Sequence, residues 1–134
     1  MSDDLFKIIL DVRDYECDLQ GIVNNTVYQN YLEHARHQFL KAKEIDFAKL
    51  TAEGIHLVVT KAELEYKKSL KPNDQFSVSV KLEREGRIRW TFAQEIRRHP
   101  DNTLMLKARI TGVSLNQRGR PCIVDDLEKL FSDT

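Results

Sequence analysis

The chain lacks an excess of charge of either sign: Lys plus Arg and Asp plus Glu each number 21 in 134 residues, for a formal net charge of zero. No overall field draws it toward nucleic acid or an anionic membrane surface, so an anionic ligand has to be held by local groups. No apolar run approaches the roughly 20 residues that cross a bilayer, and no membrane role is expected. Cysteine is scarce, with 2 in the chain. Cys17 and Cys122 lie far apart without a C-x-x-C spacing, which argues against a zinc site and suits a reducing compartment, although a disulfide between them stays open. The first residues, "MSDDLFKIIL", have neither the basic n-region nor the apolar h-region of a secretory signal. A cytoplasmic location is the expectation. No internal repeat, low-complexity tract or linker breaks the chain, so one domain spanning 1–134 is expected, large enough to bury a core without disulfides or metals.

What is present is a sequence of clear periodicities. Phe6, Ile8, Leu10 and Val12 alternate with polar positions and predict a strand. Tyr28, Tyr31, Leu32, Ala35, Phe39 and Leu40 recur at helical spacing and predict a helix of several turns with one apolar stripe. A second helical stretch, about Phe47 to Glu53, stops at Gly54. From Ile55 the period changes to two. "IHLVVTKAELEY" is apolar on both faces and then alternates. Phe76, Val78, Val80 and Leu82, broken by Gly86 from Ile88, Trp90, Phe92 and Ile96, predict a pair of strands. "TLMLKARITGVSLN" predicts another, "QRGRP" a turn, and "DDLEKLF" a short closing helix. Short turns between strands imply antiparallel neighbours, so the fold class is α+β, one long helix laid on a curved antiparallel sheet of about five strands. A single helix cannot cover such a sheet fully, and a homodimer is expected to complete it.

The segment "YECDLQGIVNNTVYQNYLEHAR" carries the chemistry. Gly21 permits a sharp turn after the first strand, and Asn24 and Asn25 supply N-cap residues just before the helix. Unpaired N–H groups at such a helix start stabilise negative charge, on an anion or on a carbonyl oxygen during acyl transfer. Asp18 lies in the same turn and could activate water or attack a carbonyl itself. On local pattern alone, the reading of Asp18 as a plain turn residue and of the Asn pair as plain caps is the favoured one.

The run D-x-x-G-x-V-N-N-x-x-Y-x-x-Y-x-E, formed by Asp18, Gly21, Val23, Asn24, Asn25, Tyr28, Tyr31 and Glu33, resembles the signature of 4-hydroxybenzoyl-CoA thioesterase-like hotdog-fold enzymes. "VVTKAELEYKKSLKPNDQFSV" is similar to that family's strand, basic loop and Gly-Asp turn, with Asn73-Asp74 in its place, and "SLNQRGRPCIVDDLEKLF" to its final strand, turn and helix. The resemblance implies a hotdog fold that hydrolyses an acyl thioester, with Asp18 as base or nucleophile and the helix-start amides around Asn24 and Asn25 on the thioester carbonyl. It implies a homodimer or homotetramer with the site at the subunit interface, a small-molecule substrate and no cofactor beyond the coenzyme A of that substrate. Many relatives carry a His beside this motif. Ile22 and Asn25 occupy those points here, so Asp18 would act without an imidazole in the segment. Hydrolysis of thioesters on acyl carrier protein, and a non-catalytic acyl-CoA-binding module, are the alternatives.

Lys67, Lys68 and Lys71, and separately Arg118 and Arg120, are candidate contacts for coenzyme A phosphates, against a reading as solvated surface charge. His34 and His37 stand three apart on the helix, but with no third ligand indicated no metal is expected. His56 reads as a core histidine and His99 as a turn residue. Cys17 is a weaker candidate nucleophile than a small buried thiol. Glu33 could pair with Arg36 or face the site.

Overall fold

The computed structural model describes residues 5–131. In chain order its elements are β1 (Phe6–Asp11), α1 (Asn25–Ala42), α2 (Phe47–Ala52), β2 (His56–Tyr66), β3 (Gln75–Glu85), β4 (Arg89–His99), β5 (Thr103–Leu115), β6 (Pro121–Cys122) and α3 (Asp125–Glu128). The sheet runs β1-β3-β4-β5-β2, with every pairing antiparallel. The sixth strand, β6, pairs with Ser114 and Leu115 just past the residues of β5 that β4 covers. Two residues are too few to show an alternation, which is why the sequence suggests about five strands. The closing helix is likewise shorter than "DDLEKLF" suggests, with only Asp125–Glu128 helical.

The apolar stripe of α1 is the one the periodicity predicts: Tyr28, Tyr31, Leu32, Ala35, Phe39 and Leu40 are all buried. They meet the inward positions of the sheet, among them Phe76, Val78 and Val80 of β3, Phe92 and Ile96 of β4, and Leu106 and Ala108 of β5. Truncating Leu32, which is fully buried, to alanine would cost about 2–5 kcal/mol. On the outer face, small polar residues such as Ser77, Thr91 and Thr111 are buried. Long side chains paired as Arg97–Glu95, Lys81–Glu83 and Arg109–Glu83 stand beside them.

The double apolar start of β2 has a structural reason. Its pairing with β5 slips between Val59 and Lys61, leaving Thr60 as a bulge whose hydroxyl donates to the Thr111 carbonyl at 3.3 Å. One extra residue reverses the alternation. Val59 opposite Gly112 and Ala62 opposite Ile110 therefore share the inner face. Without the bulge, Lys61 would point inward. Strand β2 is also a sheet edge in the single chain, and Val58, Val59 and Tyr66 are 37%, 48% and 46% exposed. An eleven-residue edge with apolar side chains and unpaired backbone groups is a surface for a further strand.

Candidate active site

The loop from β1 to α1 folds into a small closed turn. Gly21, at φ +77°, donates to the Asp18 carbonyl at 3.0 Å, and the Asp18 N–H donates to the Ile22 carbonyl at 2.9 Å. Glycine occupies this left-handed conformation without a Cβ penalty. The Asp18 carboxylate takes part in the same turn, with Oδ1 accepting from the Gln20 N–H at 2.8 Å and the Ile22 N–H at 3.5 Å. The turn reading of Asp18 is therefore seen in its side chain. One oxygen holds the turn, while Oδ2 has no protein partner among the described residues and the side chain is exposed.

Asn24 is the N-cap of α1, and its side-chain oxygen accepts from the Thr26 N–H at 3.1 Å. Its own N–H donates to the Glu16 carbonyl, and the Val27 N–H returns to the Asn24 carbonyl. The expected row of free donors thus narrows to one. Asn25, the first helical residue, is left with an N–H that has no acceptor among the described residues, at the positive end of an 18-residue helix. Asn24 contributes by shaping the cap.

The basic loop after β2 is fastened to this helix start by Leu70, which is fully buried. Its N–H donates to the Tyr28 hydroxyl at 2.9 Å and its carbonyl accepts from the Val23 N–H at 3.0 Å. Burial raises the pKa of the Tyr28 phenol, which keeps it a neutral acceptor. Asn73 and Asp74, on the same segment, exchange backbone hydrogen bonds with Val12 at the start of the catalytic-candidate loop, so Lys67, Lys68 and Lys71 are carried on a segment that touches both of its ends. Lys67 is also paired with Glu65 at 3.3 Å. In the turn beyond, Asn73 adopts φ +71°, a conformation Asn tolerates, and so takes the place of the glycine in the related motif. Tyr31 supports the other side of the loop. Its hydroxyl donates to Glu16 at 2.7 Å, and burial followed by this carboxylate contact holds its phenol strongly protonated.

Arg118 and Arg120 lie elsewhere. Lys67 and Lys68 donate to the carbonyl of Met105 near the start of β5, whereas Asn116 to Arg120 form the turn after its end. Ten residues of strand separate those points by about 33 Å, so within one chain the two basic clusters serve different places. Cys17 is half-buried, and burial, then Asp14 and Asp18, push its thiol above the ordinary range. A thiol kept protonated is a poor nucleophile. His56 is exposed at the start of the edge strand, contrary to a core placement. His37 is exposed and packs against Phe47 at 6.0 Å.

A further polar cluster escapes the sequence patterns. Gln94 is only 1% exposed on the inner face of β4, between Phe92 and Ile96. Its side-chain carbonyl accepts from Arg36 Nη1 and its amide donates to the Leu32 carbonyl, both at 3.1 Å. A polar residue in phase with Trp90, Phe92 and Ile96 was the available signal.

The matches to known proteins agree with this architecture. The family model described as Thioesterase-like superfamily matches residues 12–130. The chain is 32% identical over 115 residues, 86% of its length, to the chloroplastic acyl-acyl carrier protein thioesterase ATL3 of Arabidopsis thaliana, and spans 60% of that protein. A hypothetical protein of Aquifex aeolicus superposes with a TM-score of 0.85 at 29% identity, covering 95% of this chain and 99% of that one. A 1,4-dihydroxy-2-naphthoyl-CoA thioesterase from Synechocystis shares the fold at a TM-score of 0.89 and 14% identity, covering 96% of each chain. The architecture is the hotdog fold, and the chain belongs to the thioesterase-like superfamily.

Proposed function

We propose that this chain hydrolyses an acyl thioester to a free acid and a thiol, with coenzyme A as the leaving carrier. The observation that carries the reading is the juxtaposition, in one short loop, of an exposed carboxylate with a free oxygen and the unpaired amide of Asn25 at a helix start. As general base, Asp18 takes a proton from water while the resulting hydroxide adds to the thioester carbon. The Asn25 N–H accommodates the oxyanion, and collapse breaks the carbon–sulfur bond, the thiolate recovering the proton from Asp18. As nucleophile, the carboxylate would add directly and expel the thiolate, and water would then hydrolyse the anhydride and regenerate Asp18.

The site is completed by a second copy. Antiparallel pairing of two β2 edges places the Tyr66 end of one strand beside the His56 end of the other. Since His56 lies opposite Leu115, this brings Arg118 and Arg120 of a second copy toward Lys67, Lys68 and Lys71. Two basic clusters that are remote within one chain become neighbours around one anionic carrier.

Thiol release from a panel of short, long, branched and aromatic acyl-CoAs, with wild type and Asp18→Asn side by side, tests the assignment. Loss of orders of magnitude in kcat with unchanged folding is expected; full activity in the variant would sink it. The similarity to an acyl carrier protein thioesterase favours a second reading, in which the same basic residues meet an acidic carrier protein. The same acyl group offered on both carriers separates the two.

A further inference from the structure

We propose that Arg36 reads an acceptor oxygen, above all a carboxylate, carried by the acyl group far from its thioester. This rests on the thioester reading above and adds a substrate class to it.

Arg36 projects from the side of α1 that faces the edge strand. Two hollows open there, of about 230 and 270 Å3, and both are lined by Glu33, Arg36 and Val59. One extends to Gln29, Asn30 and Ala62, the other to Leu57, Trp90 and Phe92. Together they form a groove running along α1 and β2 from the early turns of the helix toward the His56 end of the strand. Tyr28 stacks edge-on against Tyr66 at 5.6 Å, which fixes the antiparallel run of helix over strand. An acyl chain whose carbonyl sits at Asn25 has this groove as its continuation.

The groove is lined by polar and apolar groups in about equal measure, and Arg36 is the one cation side chain that both hollows share. A guanidinium offers five N–H donors. Arg36 uses one, on Gln94, and makes no ion pair among the described residues. Its cation lies 5.9 Å over the Phe92 ring, and burial works against its charge, only partly offset by Glu33. A half-buried cation that is braced by a buried amide through one donor, and has the others uncommitted among the described residues, is arranged to receive an acceptor. Gln94 supplies the brace without neutralising the charge, because its amide is uncharged; it is itself held by the Leu32 carbonyl. Arg36 lies eleven residues from the helix start, about 16 Å along the axis. The oxygen it reads therefore stands near the far end of a medium-length acyl group.

Binding is measured by calorimetry on Asp18→Asn protein, with Arg36 intact or changed to Met, using dodecanoyl-CoA and dodecanedioyl-CoA. The intact groove is expected to bind the diacid derivative at least tenfold more tightly. Arg36→Met should abolish that preference while leaving the affinity for dodecanoyl-CoA within threefold. Equal affinities in the parent overturn the proposal, and so does a parallel loss of both ligands in Arg36→Met, which makes the residue a brace of the fold or of the dimer. If Arg36→Met does not fold, Arg36→Lys keeps the charge but not the fork. It should retain a preference reduced severalfold, and an unchanged preference would overturn guanidinium-specific recognition. Thiol release by wild type from both compounds is scored separately. Discriminating binding without release removes the proposed reaction and keeps the recognition; release without discrimination does the reverse.

Discussion

Removing one oxygen atom from Tyr28 tests how the basic loop is coupled to the helix start. In Tyr28→Phe the ring still packs edge-on against Tyr31 and Tyr66, at 6.1 and 5.6 Å. What disappears is the acceptor of the Leu70 N–H, on a residue with no exposed surface. An unpaired buried amide costs about 1–3 kcal/mol, so a loss near 2 kcal/mol is expected. For a chain of this size, with an unfolding entropy of about 2.1 cal/mol/K per residue, that corresponds to a fall in Tm of about 7 °C. Urea denaturation of wild type and variant provides the free energy, with an unchanged m-value required for the comparison. Tyr31→Phe is the internal reference. Its hydroxyl donates to Glu16, whose carboxylate keeps the Arg13 N–H at 2.9 Å, so about 1 kcal/mol is expected. Because the Leu70 carbonyl still accepts from Val23, Leu70 stays attached to the helix start at one point, and KM for an acyl-CoA should rise more than kcat falls. A cost below about 0.5 kcal/mol for Tyr28→Phe, or one smaller than that of Tyr31→Phe, would refute the reasoning.

Other expectations follow from the same geometry. A chain carrying Lys71→Glu and one carrying Arg118→Glu should each lose acyl-CoA affinity, yet their mixture should recover one intact site if, as proposed, the site takes its lysine from one copy and its arginine from the other; no recovery on mixing would refute the shared site. Cys17→Ser should keep kcat/KM within twofold, whereas a large loss would return the thiol to the mechanism. Gly112→Ala would drive a methyl group into both the Trp90 ring and the Val58 carbonyl, so a loss of about 3 kcal/mol or failure to fold is expected by thermal melting. Asp101 is held well below the usual carboxylate range, first by Arg98 and then by Thr103. A depressed folded pKa contributes stability above the unfolded value and loses it as pH falls through the folded one. An NMR titration should therefore find Asp101 ionised where ordinary aspartates have protonated, and Arg98→Met should raise its midpoint toward the ordinary value, with Thr103 still holding it partly down.

Much of this was readable from residue order because the relevant forces are local or periodic. The stripe of α1 and the alternation of β3 to β5 report directly which side meets the core, and Asp18, Gly21 and Asn24 announce a turn and a cap. The rest depends on contacts between distant parts of the chain. Asn24 looked like a free donor, but its amide is taken by Glu16, leaving Asn25. Thr60 disguised itself as a break in alternation, since a bulge is defined by the partner strand it fails to pair with. Gln94 was hidden because its two partners both lie on α1, remote in sequence. The separation of Arg118 and Arg120 from the lysine loop follows from the length of β5, which no motif expresses.

The double attachment of Leu70 has a dynamic consequence. Its amide belongs to a loop, yet it is sealed and hydrogen-bonded like one in the middle of a sheet, so its hydrogen exchange should be slow and should require Tyr28 to let go. The middle of the loop cannot swing open by itself, because Leu70 is anchored on Val23 and on the first turn of α1. Loosening around an arriving carrier and fraying of the helix start are then a single event, and the Asn25 amide is in place only while the loop is closed.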